Sequence, residues 1–427
     1  MKTGLAKAKN GLIAALDVGS SKVCCFIARA DDARTSDGGR PRVVGIGQQA
    51  SHGVKAGAVV DMEATEAAIL HAVHAAEQMA DETIDRVYVN LSGGYPESSS
   101  VAVEVSIAGH EVGEGDLRRA VEQTHALDSV NGQTPNGRHL IHAIPTAYSI
   151  DGNRGVRDPR GLCGERLALR MHFVTADAGA VRNLINCIAR CHLDVAGLVV
   201  SPYASGLACL AEDERELGVT VIDMGGGTTT IAVFLEGKVI YTDVVPIGGI
   251  HVTNDIARGL TTPVSHAERL KALYGHATAV TADERETIDV PQIGEEDGET
   301  QQVPRAQLVG IIRPRVEETF ELARARLEAS GFDKIAGRRV VLTGGASQLT
   351  GVRELAGQVL DKQVRLGRPT GVLGLAESTA GPAYATCAGI LTYAAAAGSL
   401  PARRTQPESV KPGDFLGRLS FWFREHF

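Results

Sequence analysis

The chain says nearly the same thing twice. Leu16-Asp17-Val18-Gly19-Ser20-Ser21-Lys22 follows the apolar run Gly11 to Leu16 and precedes the β-type run Val23 to Ala28. Ile222-Asp223-Met224-Gly225-Gly226-Gly227-Thr228-Thr229-Thr230 follows Val219 to Ile222 and precedes Ile231 to Leu235. Each reads as strand, tight glycine turn, strand: a hairpin with a carboxylate at its mouth. Glycines let backbone N–H groups approach an anion, hydroxyls add neutral donors, and Asp17 and Asp223 can each hold a hydrated divalent metal. One such turn is an ordinary loop. Two, at matching places in two halves of one chain, point to a duplicated α/β fold closing on a nucleotide from both sides.

At 427 residues the chain is long enough for two domains, each with its own core. A net charge of −8 argues against a general affinity for nucleic acid. The seven cysteines form no C-x-x-C pair, and most sit among apolar residues, as reduced thiols do in a cytosol. Cys187, Cys191 and His192 share a helix face and are weighed as metal ligands, but packing is the simpler reading without a second ligand pair. Gly11 to Leu16 is too short for the apolar core of a signal peptide, and no run of about 20 apolar residues occurs to span a membrane.

The apolar spacing predicts strands at Leu12–Leu16, Val23–Ala30 and Val43–Gln49, a helix over Met62–Met79 and a strand at Val87–Leu91. From Asp85 to Arg166 the texture changes. Short alternating runs (Val101–Ile107, His139–Ile144, Ala147–Ile150, Leu167–Val174) surround one helix, Glu114–His125, as in a small inserted α+β module. Helices are expected at Ala178–Arg190, Pro202–Leu210, His251–Leu260, Val264–Tyr274 and Leu308–Ser330, with Pro314 kinking the last or marking its true start. Further strands are expected at Leu193–Val200 and Val340–Thr343. Asp283 to Glu299 carries eight acidic residues and is either an exposed strand-and-loop excursion or partly disordered. Pro382–Ala397 is a last helix of small residues, and Gly398–Pro412 reads as a linker.

Two further elements join the hairpins: Gly344-Gly345-Ala346 after a buried strand, and Ala267-Glu268-Arg269-Leu270-Lys271 on a helix. Together they supply a phosphate clamp, a metal holder, a glycine surface for a purine and a charged pair. This set resembles the actin-like ATPase superfamily, with two phosphate loops, an adenosine-type motif over Leu342–Thr350, and connectors at Ser201-Pro202-Tyr203-Ala204-Ser205-Gly206 and Gly381-Pro382-Ala383-Tyr384-Ala385-Thr386. Within it, three stretches are similar to the bacterial cell-division FtsA family: Leu16 to Cys24, Val245 to Ala257, and His139 to Val174 with its Pro159-Arg160-Gly161-Leu162-Cys163-Gly164.

The resemblance implies an actin-like (ribonuclease H-like) duplicated fold, with two lobes and four subdomains around a nucleotide cleft. Its parts would be a first-lobe core at 1–84, an FtsA-type (SHS2-like) insert at 85–166, a return to the first lobe at 167–205 and a second-lobe core at 206–250. An outer subdomain at 251–330, core again at 331–380, a connector helix at 381–397, a linker at 398–412 and a terminal helix at 413–427 complete it. It places ATP with Mg²⁺ against Asp17, Gly19, Ser20, Ser21 and Lys22 of the first loop and Asp223, Gly225, Gly226, Gly227, Thr228 and Thr229 of the second. Lys22 would meet the phosphates, Glu268 and Lys271 the ribose and base, and Gly344, Gly345, Ala346 and Gln348 the adenine slot. One departure stands out: Gly197 occupies the place of actin's water-orienting Gln. Such a site hydrolyses slowly at most, so the catalytic residue is left unassigned and ATP is expected to act as a conformational ligand.

The tail is the second informative feature. Four of nine Phe and the only Trp fall in the last 13 residues. On a helix, Phe415, Leu416, Leu419, Trp422, Phe423 and Phe427 lie within about 140°, with only Phe421 on the polar side. Behind a linker, that is the composition of an interfacial membrane helix, and the FtsA family ends in one. The family further implies a peripheral protein on the cytoplasmic face of the inner membrane at the division septum. It would polymerise with itself, bind the C-terminal peptide of the tubulin-like FtsZ near Arg315 and Glu318, and recruit other divisome proteins. The rival readings are a small-molecule kinase on the same fold and an MreB-like shape-determining filament protein. The first needs a catalytic carboxylate at the cleft mouth, and the second would lack the Asp85–Arg166 module.

Overall fold

The computed structural model describes residues 11–29, 39–130, 137–278, 285–294 and 300–398. In the first lobe, β1 (Leu12–Val18), β2 (Lys22–Arg29) and β3 (Arg42–Ala50) form an antiparallel meander. A two-residue ladder, β4 (Val54–Lys55) and β5 (Ala58–Val59), leads into α1 (Met62–Ala80). The Asp61 carboxylate caps α1 by accepting from the Ala64 amide at 3.0 Å. The buried stripe Ala68, Ile69, Ala72, Val73 and Ala76 then packs on the meander. The fit is close: a Cβ on Gly47 of β3 would lie 1.8 Å from the Ala72 carbonyl oxygen. β6 (Arg86–Leu91) adds to the sheet parallel to β1.

The inserted module follows: β7 (Glu97–Ser106), α2 (Glu114–Val130), β8 (Arg138–Ile150), β9 (Asn153–Val156) and β10 (Arg166–Asp177), in sheet order β7-β10-β8-β9. The two runs expected at His139–Ile144 and Ala147–Ile150 are one strand. Arg170 pairs with Ala147 and Met171 with Pro145, so Thr146 is a bulge residue that accommodates the proline. Leu167, Leu169, Met171 and Phe173 face α2. Sheet membership puts 86–91 with the first lobe and 166–177 with the insert, where the sequence reading drew its bounds at 85 and 166. Alternating apolar residues cannot say which sheet a strand joins.

The chain returns through α3 (Ala178–Arg190), β11 (Asp194–Val200, parallel to β6) and α4 (Ser201–Cys209). Cys187 on α3 and Cys191 at its C-cap are buried, and their thiols donate to the Met62 and Cys187 carbonyls, while His192 has φ +59° and lies outside the helix, so the three do not share a helix face. Both thiols lie in the first-lobe core beside Ile69 and Ala72 of α1.

The second lobe repeats the first. After α5 (Glu212–Leu217), β12 (Val219–Met224), β13 (Thr229–Leu235) and β14 (Lys238–Val245) form the meander. Then come α6 (Gly249–Gly259), α7 (Val264–Tyr274), the hairpin β15 (Thr287–Pro291) and β16 (Thr300–Pro304), and α8 (Arg305–Ser330). β17 (Arg339–Thr343), α9 (Val352–Leu360), β18 (Gln363–Leu366) and α10 (Ala385–Gly398) complete the lobe and lead back to the first. The sheet order β14-β13-β12-β17-β18 mirrors β3-β2-β1-β6-β11: a three-strand meander extended beyond its first strand by two successive parallel strands. Pro314 lies inside α8, which starts at Arg305 directly after β16, so it does not mark the start. Within the described part of the acidic stretch, Thr287–Pro291 is strand β15, with Ile288 and Val290 buried in the second-lobe core.

Helices α4 and α10 join the lobes. They cross so closely that a Cβ on Gly389 would lie 1.7 Å from the Ala204 carbonyl oxygen. Around this crossing one core draws on both lobes, with Ala15 and Phe26 from the first and Phe234 and Val341 from the second. The insert also touches the second lobe. The Ser98 hydroxyl on β7 donates to the Thr242 carbonyl on β14, and Arg157 pairs with Glu216 on α5. Among the described residues no helix is long and apolar enough to cross a membrane, and the helix expected at Phe415–Phe427 lies outside them.

Candidate functional site

The two acidic hairpins have the same turn. The Gly19 amide donates to the Lys22 carbonyl at 3.0 Å, and the Gly225 amide to the Thr228 carbonyl at 2.9 Å. Their tips meet between the lobes. A Cβ on Gly227 would stand 2.4 Å from Ser20 Oγ, and one on Gly226 2.8 Å from Ser21 Oγ. Between and behind them opens a cavity of about 500 Å³. Every residue named from the sequence for the nucleotide lines it: Asp17, Gly19, Ser20, Ser21, Lys22, Asp223, Gly225, Gly226, Gly227, Thr228, Thr229, Glu268, Lys271, Gly344, Gly345, Ala346 and Gln348.

Asp17 and Asp223 sit at the same position in their strands, paired across the hairpin with Cys24 and Thr230. Burial pushes the Asp17 carboxyl up to about 7, opposed by the Lys22 charge and reinforced by that of Asp223. Asp223 is raised by the same desolvation, offset by hydrogen bonds from Ser205 and Thr386. Ser205 Oγ donates to Asp223 Oδ2 at 2.5 Å, and Thr386 Oγ1 donates to the same oxygen at 2.9 Å. Gly344 is required here. It has φ +84°, and a Cβ on it would lie 2.2 Å from Asp223 Oδ1. Thr230, also lining the cavity, buries a hydroxyl that has no hydrogen-bond partner among the described residues. A buried and a half-buried carboxylate that repel each other, a cation beside them and a spare hydroxyl suit a hydrated divalent cation carried in with phosphate. Magnesium commonly takes one or two carboxylates and fills its shell with water and phosphate oxygens.

Lys22 lines the cavity, but its ammonium rests over the Tyr384 ring, 3.4 Å from the centroid. Glu268 and Lys271 are more than a surface pair. Lys271 Nζ donates to Glu268 Oε2 and Thr253 Oγ1, both at 2.7 Å, and to the Gly249 carbonyl at 3.1 Å, locking α7 onto α6. Gly345 to Gln348 form a short 3₁₀ turn after β17.

Several lining residues escaped the sequence reading. Asn90 accepts from the Val18 amide at 2.7 Å and donates to Ser201 Oγ at 3.2 Å, tying β1, β6 and α4 behind the first hairpin. Its only signal was a polar residue inside the apolar run Val87–Leu91. Ser205 and Thr386 lay inside the two connector motifs, but nothing local said that both hydroxyls reach one carboxylate. Gly197 packs on Tyr88 within β11 and does not line the cavity. Arg315 is not a free helix charge: it bonds Asp255 of α6 through Nε at 2.5 Å and through its second nitrogen at 3.2 Å, and also pairs with Glu318.

Comparison with known proteins agrees with the fold and its insert. Residues 220–389 match the profile described as cell division protein FtsA, and residues 93–175 that of the SHS2 domain inserted in FtsA. The second match spans β7 to β10, the sheet of the insert. The chain is 44% identical over 433 residues to the cell division protein FtsA of Agrobacterium fabrum, covering 99% of this chain and 96% of that protein. It is 33% identical over 426 residues to FtsA of Escherichia coli K12, covering 97% and 98%. A chain of the PilM–PilN type IV pilus biogenesis complex shares the fold, with a TM-score of 0.63 at 17% identity over 89% of this chain and 97% of that one.

Proposed function

This chain belongs to the FtsA family of cell division proteins and carries its actin-like fold with the SHS2 insert, and we propose that its interlobe cleft binds ATP with Mg²⁺ as a conformational ligand. The observation that carries the reading is the contact of two matching acidic hairpins across a cavity of about 500 Å³. Asp17 and Asp223 would hold the metal, the hairpin backbones and hydroxyls the phosphates, and the slot between Lys271 and Gly344–Gln348 the base. Magnesium, when bound, offsets phosphate charge between the carboxylates. The catalytic residue is left unassigned: Gly197, in the place expected for a water-orienting side chain, lies within β11 outside the cavity, so it does not decide the rate, and turnover is expected to be slow at most.

On the same reading the protein polymerises and tethers FtsZ filaments to the cytoplasmic membrane through Phe415–Phe427, receiving the FtsZ peptide beside Arg315 and Glu318. It recruits later division proteins at the septum. Avidity along a polymer would multiply the weak hold of each terminal helix. Isothermal titration of the full chain with Mg-ATP tests the cleft. Asp223→Ala is expected to weaken binding tenfold or more, and undiminished affinity would overturn the assignment.

A further inference from the structure

Both connector helices close on Asp223. Ser205 of α4 and Thr386 of α10 donate their hydroxyls to the same carboxylate oxygen, Oδ2, at 2.5 and 2.9 Å, and the two hydroxyl oxygens stand 3.0 Å apart. The knot lies at the helix crossing. Ser205 follows Ala204 in the chain, and Thr386 comes three residues before Gly389, the two residues seated against each other where α4 and α10 meet. On its other side the carboxylate rests on Gly344, where a Cβ would come within 2.2 Å of Oδ1.

The last torsion of an aspartate has broad preferences, so the side chain alone does not fix the plane of its carboxylate. A hydroxyl carries one hydrogen, and both of these are spent on Oδ2. Two donors on two different helices, with a glycine backbone behind, hold that plane. Ser205 is fully buried and does not line the cavity, so it can act on a ligand only through Asp223. Thr386 lines the cavity and makes the same bond. Magnesium demands near-ideal geometry of the groups around it, and hydrogen-bond partners of a metal-holding carboxylate therefore govern metal affinity.

Resting on the nucleotide reading of the cleft, the geometry points to Ser205 and Thr386 as positioning residues that aim the Asp223 carboxylate at the metal. The share of nucleotide affinity that depends on Mg²⁺ is then set by the two connector helices as well as by the hairpin.

Calorimetry of the full chain with ATP, once in excess Mg²⁺ and once in EDTA, tests this. The parent should bind ATP more tightly with Mg²⁺. Ser205→Ala and Thr386→Val should each weaken binding in Mg²⁺ about three- to tenfold and leave binding in EDTA within about twofold. Thr386→Ser keeps the hydroxyl and should stay within about twofold of the parent in both conditions. A loss of equal size with and without Mg²⁺, or no loss in either variant, would overturn the proposal while leaving nucleotide binding intact. A parent chain that takes up no ATP, or takes it up equally well in EDTA, would instead remove the cleft or its metal, and this inference with it. Thermal melts accompany each variant, and Thr386→Val against Thr386→Ser carries the test if Ser205→Ala does not fold.

Discussion

Ser98 makes both hydrogen bonds to Thr242 that a neighbouring strand would make: its hydroxyl donates to the carbonyl at 2.7 Å and accepts from the amide at 3.1 Å. Thr242 lies on β14, the outer strand of the second-lobe sheet. The insert is thus rooted covalently in the first lobe and stitched to the edge of the second. Ser98→Ala removes both bonds and leaves Thr242 without those partners, at a cost of about 1 kcal/mol for each. Hydrogen exchange at the Thr242 amide should accelerate in that variant. An unchanged rate would show that the edge is held by other contacts. Arg157→Ala should have little effect, because the Arg157–Glu216 pair is exposed and such pairs contribute under about 1 kcal/mol.

Acid should loosen the insert. His172 lies on β10 between Ser100 and Ile144, 1% exposed, with neither ring nitrogen hydrogen-bonded among the described residues. Burial pulls its pKa from 6.5 down to about 3. Between those values the unfolded chain binds the proton and the native one does not, so stability rises with pH across the window and falls on acidification. From pH 6.5 to pH 5 this single group accounts for about 2 kcal/mol. His125, lowered to about 4, adds in the same direction. Denaturant unfolding at pH 5 and 6.5 should show a smaller difference for His172→Leu than for the parent. An equal difference in both would exclude His172 as a source.

Reversing one charge at Arg315 has two effects that must be separated. Arg315→Glu sets a carboxylate against Asp255 and Glu318, so it should lower thermal stability whatever it does to a partner. The exchanged pair Arg315→Glu with Asp255→Arg should restore most of that stability by re-forming the α6–α8 bond. If Arg315 also contacts the FtsZ peptide, the exchanged protein will fold and still bind the peptide poorly in a fluorescence-anisotropy titration. Full recovery of peptide affinity would limit Arg315 to holding the two helices together.

Deleting Phe415–Phe427 should abolish co-sedimentation with anionic liposomes and leave the affinity for Mg-ATP within about twofold. Each apolar side chain that enters the interface contributes roughly 1.5–3 kcal/mol before ordering costs. Partial losses are therefore expected from Trp422→Ala or Phe423→Ala alone. Liposome binding that survives the full deletion would assign membrane contact to another surface.

Local signals were readable and pairings were not. α3 and α7 span the residues expected, Ala178–Arg190 and Val264–Tyr274, because caps and helical spacing are written within a few residues. β16 was not expected as a strand: Thr300–Pro304 buries only Val303, and its conformation comes from pairing with β15. β14, α9 and β18 were not expected either; β14 and β18 draw their order from the strands they pair with. In the cleft, the residues that make an anion site had a pattern of their own and all line one cavity. Those that tune it did not. Ser205, Thr386 and Tyr384 matter only because two connectors far apart in the chain converge on Asp223 and Lys22.

The crossing of α4 and α10 bears on how the lobes can move. With Gly389 seated against the Ala204 backbone, no side chain interdigitates at the point of closest approach. A change of angle between the helix axes would have to carry with it the shared core of Ala15, Phe26, Phe234 and Val341, while sliding along them would move Gly389 off the place where the backbones can approach this closely. Any change of angle about this crossing would sweep its widest arc at the far rims of the lobes, so a slight adjustment beside it would be magnified there.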